Sequence, residues 1–306
     1  MNFKLKRASW FLFGLLCLLI FTVLKLPRDP IKASIRDLLT QALAQQGASF
    51  SVGEEDLSIF LLPSYQMKKV TLTLPPPAET AHVDRITLSP TFLPLFLGRW
   101  GGEIQIQQGA GRIQASVSNR KSFFAGSFQT EQFDLGKLGL LPLLLGIQGS
   151  GILDGKGSVS TDLQALNQSE GTLQLQLSKL SFEPQSIAGF ALPKLAVSEA
   201  SVQLAIQQGK AKIITCRVGK AGSSLAPGDD IRATVTGDIT LGKTPETSTL
   251  NLKTNFAFSE TILKSFMLLD ALLGPGKQSD GSYSFALTGS VMNPISQPLA
   301  QTGGNP

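Results

Sequence analysis

Charge, histidine and cysteine are all scarce in this chain, and each scarcity closes off a class of function. Charged residues make up 16% of the 306 residues, against about 25% in an average soluble domain. There is one histidine, His82, and there are two cysteines, Cys17 and Cys216. Two cysteines cannot staple a disulfide-dense fold. One histidine, with one cysteine outside the N-terminal segment, cannot supply the usual ligands of a zinc site. Low charge does not signal disorder here, because 42% of the residues are hydrophobic and offer ample apolar surface to bury. The 30 glycines and 17 prolines follow no triplet period, which excludes collagen.

The basic pI of 9.2 belongs to one end of the chain. Lys4, Lys6, Arg7, Lys25 and Arg28 fall in the first 28 residues, where there is no acid. Residues 29–306 carry 22 basic and 22 acidic side chains. A neutral domain with no basic run after residue 36 has no surplus charge for neutralising phosphates, so nucleic acid is not an expected partner.

Lys4-Leu5-Lys6-Arg7 precedes an apolar run over residues 10–24, extended by Leu26. The run is short for a span of roughly 20 residues, but Lys25 can snorkel and Ala8 can lengthen it. A cleaved signal peptide and a retained anchor compete. Lys25-Leu26-Pro27-Arg28 offers no small-x-small cleavage site, Ala42-Leu43-Ala44 lies too far downstream, and Leu15-Leu16 before Cys17 rules out a lipoprotein cysteine. The reading is a retained single-pass anchor at residues 8–26 behind a basic cytoplasmic segment at 1–7. Both flanks are basic, so the positive-inside rule alone does not orient it. A very short leader before a large neutral domain places the N-terminus inside and the main domain outside. Cys216, among Ile213, Ile214 and Val218, reads as a buried small hydrophobe rather than a reactive thiol.

Residues 27–47 read as an amphipathic helix. Asp29 is placed to cap it and Pro30 to open it. Ile31, Ile35, Leu38, Leu39, Ala42 and Leu43 share one face, and Gly47 stops it. From residue 48 the period changes to two. Val70, Leu72 and Leu74 alternate with threonines, Ile104 and Ile106 with glutamines, and Leu173, Leu175 and Leu177 with Gln174, Gln176 and Ser178. Phe256 and Phe258, then Tyr283, Phe285 and Leu287, continue the pattern. Ten to twelve strands are expected, mostly antiparallel because the connections are short. One face is apolar, the other polar but largely uncharged. Three segments interrupt the strands: residues 89–98, residues 135–146, and a helix over 260–273 capped by Ser259 and ended by Gly274-Pro275. These pieces are expected to plug the ends of a curved sheet. The β domain spans 48–298, and a disordered tail is expected at 299–306.

Ile106-Gln107-Gln108-Gly109 recurs as Ile206-Gln207-Gln208-Gly209. Two hairpins with similar glycine turns, or a repeated structural unit, would each produce this echo. Similar steps at Gly157, Gly237 and Gly289 are irregularly spaced.

The search for chemistry selects no catalytic, cofactor-binding or metal-binding residue. His82 reads as a solvated loop residue without a Ser or Cys partner. Ser118-Asn119-Arg120-Lys121 fits Ser-x-x-Lys without its companion motifs. Gly149-Ser150-Gly151 and Gly274-Pro275-Gly276-Lys277 miss the dinucleotide and Walker spacings and read as turns. Asp229-Asp230 and the pair Asp154 and Asp162 lack the oxygen ligands of a calcium loop and read as solvated loop acids. Nothing selects a glycosidase pair. The protein is therefore expected not to be an enzyme.

Two resemblances give the pattern a context. Residues 50–117 resemble the start of AsmA-like proteins: a strand run over 57–74 containing Pro63, then Ile86-Thr87-Leu88-Ser89, an apolar insert over 92–98, and Glu103-Ile104-Gln105-Ile106. The second half is similar to the GspN family of type II secretion proteins, in its anchored form. The residues that carry this likeness are Gly149, Gly151-Ile152-Leu153-Asp154-Gly155 and Gly157, followed by Ser169-Glu170-Gly171-Thr172-Leu173. Gly237-Asp238-Ile239-Thr240-Leu241, residues 248–252 and the helix at 260–273 come next, and the order ends with Asp280-Gly281-Ser282-Tyr283 and Asn293-Pro294. The GspN likeness implies a non-enzymatic accessory component at the bacterial inner membrane, facing the periplasm. Its implied partners are the inner-membrane platform and the secretin. The AsmA-like pattern implies an alternative, a groove that binds or transfers lipid.

Overall fold

The computed structural model describes residues 28–45, 47–58, 63–73, 80–91, 100–139, 141, 147–187, 190–222 and 224–299. The expected anchor at 8–26, residues 92–98 of the first insert and residues 300–306 of the expected tail lie outside them. Among the described residues no helix is long and apolar enough to cross a membrane.

Helix α1 (Arg28–Gln45) begins before the expected cap, so Asp29 stands in its first turn, where a carboxylate favours the positive end of the helix dipole. The apolar stripe is narrower than expected. Ile31, Ile35 and Leu39, one turn apart, lie against the domain core, while Leu38 is 67% exposed and Ala42 is also exposed. Gly47, at φ 72°, ends the helix as expected. Its N–H donates to Ala44 O at 3.0 Å, and the next N–H, of Ala48, donates to Leu43 O at 2.9 Å.

The rest is mainly strand. β1 (Ser49–Ser58), β2 (Ser64–Thr73), β3 (Thr80–Pro90), β4 (Trp100–Gln108), β5 (Gly111–Arg120), β6 (Phe123–Asp134), β7 (Gly149–Asp162) and β8 (Ala165–Phe182) follow one another. A small hairpin, β9 (Gln185–Ile187) and β10 (Phe190–Leu192), stands apart from the main sheet. Then come β11 (Leu195–Gln207), β12 (Lys210–Val218), β13 (Ile231–Thr240), β14 (Thr249–Phe258), β15 (Tyr283–Ser290) and β16 (Pro294–Pro298). Among the described residues fourteen strands form a single sheet in the order β1 to β8, then β11 to β16. Each neighbouring pair is antiparallel. The count exceeds the expected ten to twelve. Several hairpins turn on two residues, such as 121–122 and 163–164, and so tight a turn leaves little signal between two strands of like alternation.

The largest core lies at the N-terminal end. Leu57, Tyr65, Met67, Val70, Ala81 and Val83 of β1–β3 cluster with Phe133, Leu135, Leu138 and Leu141. The second expected insert therefore does bury its described leucines. A bulge delivers Phe133 to this core. The β6–β7 register shifts between Thr130 and Phe133, Gln132 takes φ 47°, and its N–H donates to Asp154 Oδ1 at 2.7 Å. Phe133 has no exposed surface, so truncating it to Ala would cost about 3–5 kcal/mol. A smaller core joins Leu180, Val197 and Ala200.

The helix expected over 260–273 is two helices, α2 (Glu260–Ser265) and α3 (Met267–Leu273), separated at Phe266, whose backbone leaves the helical region at φ −122° and ψ 71°. Ser259 caps α2 as expected, accepting from Ile262 N at 3.4 Å. Gly274–Gly276 then closes the segment with a 3-10 turn.

Candidate functional site: an apolar trough across the sheet

The strand registers turn separate alternations into continuous rows. Tyr65 lies opposite Leu88, which lies opposite Ile104, then Ala115, Phe128, Gly157 and Leu173. The same row continues through Leu204, Ile213, Gly237, Leu252 and Leu287. It crosses every strand from β2 to β15 in the main sheet. The opposite face carries Asp56, Gln66, Thr87, Gln105, Gln114, Gln129, Lys156, Gln174, Gln203 and Thr215 in one polar row. Period-two alternation held in register over many strands makes such a two-faced layer.

The apolar face is not fully covered. Leu88, Ile104, Leu173, Leu204, Ile213, Leu252 and Leu287 are all only half-buried. Two hollows lie on it. The first, about 730 Å³, is bounded by Ile31 and Ile35 of α1 and by Leu57, Tyr65, Leu88, Trp100, Ile104, Ala115 and Val117. The second, about 450 Å³, is bounded by Phe124, Phe128, Val159, Leu173, Leu204 and Ile206. Ala115 of the first pairs directly with Phe128 of the second, so the hollows adjoin as one trough. Gly157 forms part of its floor. A Cβ there would lie 2.5 Å from the Phe128 ring and 3.2 Å from Leu173, so these two side chains lean over the glycine.

Apolar groups stand at both ends of the row. α1 stands beside Leu57 and Tyr65 at one. At the other, Phe256 stacks on Tyr283 and on Phe285, with ring centroids 5.8 Å apart in each case. Gly276, buried after α3, sits against the Phe285 ring.

The polar face has its own hollow of about 1850 Å³, lined in part by Ser116, Ser127, Ser158, Thr172, Glu170 and Lys212. Its hydroxyls bond one another across strands: Ser116 with Ser127 at 2.8 Å, and Ser158 with Thr172 at 3.2 Å. Cross-strand pairs of this kind satisfy the sheet's own polar groups.

Several residues singled out in the sequence stand differently from expectation. His82 is exposed but on strand β3, with Nδ1 3.3 Å from Thr71 Oγ1. Gly149-Ser150-Gly151 opens β7 rather than forming a turn. A Cβ on Gly149 would meet the Phe182 ring at 2.9 Å, and one on Gly151 would meet Leu180 at 2.8 Å. These glycines let large neighbours lie flat. Ser118 is on β5 and Lys121 in the following turn at φ 56°. Asp154 and Asp162 do not act as a pair: Asp154 accepts from Gln132 N, and Asp162 from Gln164 N at 2.9 Å.

Asp229 and Asp230 are not solvated loop acids. Asp229 is buried and accepts from Ser198 N at 2.5 Å, from Ser198 Oγ at 3.0 Å and from Lys220 N at 3.0 Å. Burial pulls its pKa upward, but the Ser198 and Lys220 donors outweigh it and hold the carboxyl below its usual value. Asp230 accepts from Ala196 N and from Ser259 Oγ, each at 2.8 Å. The pair fastens the 219–230 loop and the start of α2 to β11. Sequence spacing offered no clue to this, because Ser198, Ala196 and Ser259 lie 29–34 residues away and Lys220 lies nine residues away across the loop.

Cys216 is half-buried opposite Val202, in the apolar row of Leu175, and burial pushes its thiol pKa up. A raised thiol pKa lowers the thiolate fraction, in keeping with a small apolar residue. Among the described residues no three His, Cys, Asp or Glu side chains cluster as a metal site would require. No family profile, curated protein or solved structure matches the chain.

Proposed function

We propose that this protein is a non-enzymatic accessory component of the type II secretion machinery. In this reading residues 8–26 hold it in the bacterial inner membrane, and residues 48–298 face the periplasm. It contacts the inner-membrane platform and the secretin and takes part in export of folded proteins across the outer membrane. The reading rests on the resemblance, whose residues fall on strands of the one main sheet and on the helices between β14 and β15. Gly149 to Leu173 form the β7–β8 hairpin, and the later segments lie on β13, β14, α2, α3 and β15. The test is a crosslinked pulldown from native membranes read by mass spectrometry. Recovery of secretin and platform components is the expected result. Recovery of neither overturns the proposal.

A second reading, an AsmA-like groove that binds or transfers lipid, draws on a different observation. The trough is lined by Leu, Ile, Phe and Val, and its row residues are half-exposed. A sheet rolled shut on its apolar face would have favoured a pure scaffold. An open apolar surface marks a site for an apolar partner, and acyl chains match a lining with so few polar groups. Extraction and mass spectrometry of lipid from the purified full chain tests this reading. Delipidated protein that neither retains nor takes up phospholipid overturns it. The two readings are compatible, since a secretion component can hold lipid.

A further inference from the structure

The two edges of the fourteen-stranded sheet are guarded in different ways. On β16, the N–H of Leu299 donates to Ser284 O at 3.0 Å. Alternation along the ladder then turns the backbones of Ile295 and Gln297 toward β15 and those of Pro294, Ser296 and Pro298 outward. Two of these three outward nitrogens are proline, so Ser296 alone presents an N–H there. Proline on the solvent side is a standard block against strand addition.

β1 carries no proline. Its guard is helix α1. Lys32 Nζ donates to the backbone carbonyl of Glu55 at 3.2 Å, and Arg36 Nη1 lies 3.6 Å from the Glu55 carboxylate. The Glu55 carbonyl accepts from a helix side chain on the open side, and in an antiparallel strand its N–H points the same way. α1 buries none of its own residues fully and holds on chiefly through Ile31, Ile35 and Leu39. The β16 edge is blocked, whereas the β1 edge is only covered.

We propose that β1 is a docking edge for an extended, basic segment of a partner protein, uncovered when α1 lifts away. The chemistry of the segment follows from the edge. Glu54, Glu55 and Asp56 are consecutive acids on β1; Glu54 is held by Lys68 and Lys69 of β2, which leaves the exposed Asp56 and, once α1 is off, Glu55. The cover now in place brings two cations, Lys32 and Arg36, to Glu55. A strand with Lys or Arg at alternate positions sets those charges beside Asp56 on the polar face, while its intervening apolar residues extend the surface of Leu57 on the other face. Main-chain hydrogen bonds give the affinity and the alternating side chains the specificity. This deepens the protein-contact mode of the secretion reading. Its test uses a synthetic strand, so failure here leaves the secretion partners to be decided by the pulldown.

The experiment measures binding of a short labelled peptide alternating Val and Lys to the full chain by fluorescence anisotropy, with hydrogen exchange to locate it. The expected result is saturable binding with new protection on β1. Lys32→Ala with Arg36→Ala tightens it by about tenfold, because a charged hydrogen bond no longer competes for the edge. Glu55→Pro removes the outward N–H and abolishes binding. Since proline can also distort β1, Asp56→Lys on an exposed side chain serves as the second variant, and it shifts preference toward a Val/Glu peptide. No binding to the Lys32→Ala/Arg36→Ala chain, protection away from β1, or indifference to both Glu55→Pro and Asp56→Lys overturns the proposal.

Discussion

Gly109 and Gly209 follow the same tripeptide, Ile-Gln-Gln, yet they occupy different places in their turns. In the β4–β5 hairpin Gln108 pairs with Gly111, so the turn is 109–110, and Ile106 faces Ile113. In the β11–β12 hairpin Gln207 pairs with Lys210, so the turn is 208–209, and Ile206 faces Ala211. Gln108 is consequently buried, donating to His82 O at 2.9 Å. Gln208 instead takes φ 48° in its turn. The echo marks two hairpins of different register, not a repeated unit.

This difference predicts unequal costs for the same substitution. Both glycines have positive φ, 57° at Gly109 and 72° at Gly209. A Cβ on Gly109 meets nothing within 4 Å, whereas one on Gly209 runs into the backbone of Asn167. Gly109→Ala is expected to cost about 1–2 kcal/mol, the penalty for a left-handed alanine. Gly209→Ala should cost clearly more, because the Asn167 strand must also move. Urea unfolding of the two variants makes the comparison.

Acid should act through Asp229. Its native pKa lies below the ordinary 3.8, so the folded state binds this proton less readily than the unfolded state. The contribution is complete above the unfolded pKa and is lost as pH falls through the native value. Asp229→Asn, which removes the charge behind three accepted hydrogen bonds, is expected to cost about 1–3 kcal/mol at neutral pH. It should also flatten the stability profile below pH 4. Melting temperatures of both proteins across that range provide the check.

Alkali should act through Tyr65. Burial first, and then the neighbouring Glu55 charge, push its phenol up to about 12 from the usual 10.0. The folded state therefore holds this proton more tightly. The associated stability is present below pH 10 and is lost as pH rises through about 12. Tyr65→Phe keeps the ring and removes the titration. It is expected to delay alkaline unfolding, measured by near-ultraviolet circular dichroism.

The trough predicts a one-sided pattern of binding effects. Leu204→Gln puts a polar amide among Phe128, Leu173 and Ile206 and should weaken a fluorescent fatty acid by about tenfold. Gln174→Leu, on the opposite face of the β8 hairpin arm, should leave affinity unchanged. Equal effects from both variants would remove the trough as the site.

The proline block predicts a gain of association. Pro294→Thr with Pro298→Thr restores two outward N–H donors on β16, next to exposed Met292 and Ile295. The double variant is expected to self-associate with rising concentration in analytical ultracentrifugation, while the parent does not.

Much of the architecture was legible in order along the chain. Leu173, Leu175 and Leu177 alternate with polar residues because successive side chains leave opposite sides of a strand, and this gave a mainly antiparallel β fold with one apolar face. The Asp29 region, Gly47 and Ser259 carried local helix signals, since capping is decided within a few residues. Phe266 defeated that local logic: the apolar period runs straight through it, and only the backbone break divides the helix. Register lay beyond the sequence as well. Alternation says that Ala115 and Phe128 face the same side, but only long-range pairing sets them opposite one another and joins two hollows into a trough. The same holds for Asp229, whose sequence neighbours suggest a wet loop and whose donors at Ser198 and Lys220 arrive only when β11 and the 219–230 loop meet. Local chemistry fixes periodicity and chain direction, whereas contacts between distant segments depend on which strands pair and in which register, and that is decided by burial summed over the whole sheet.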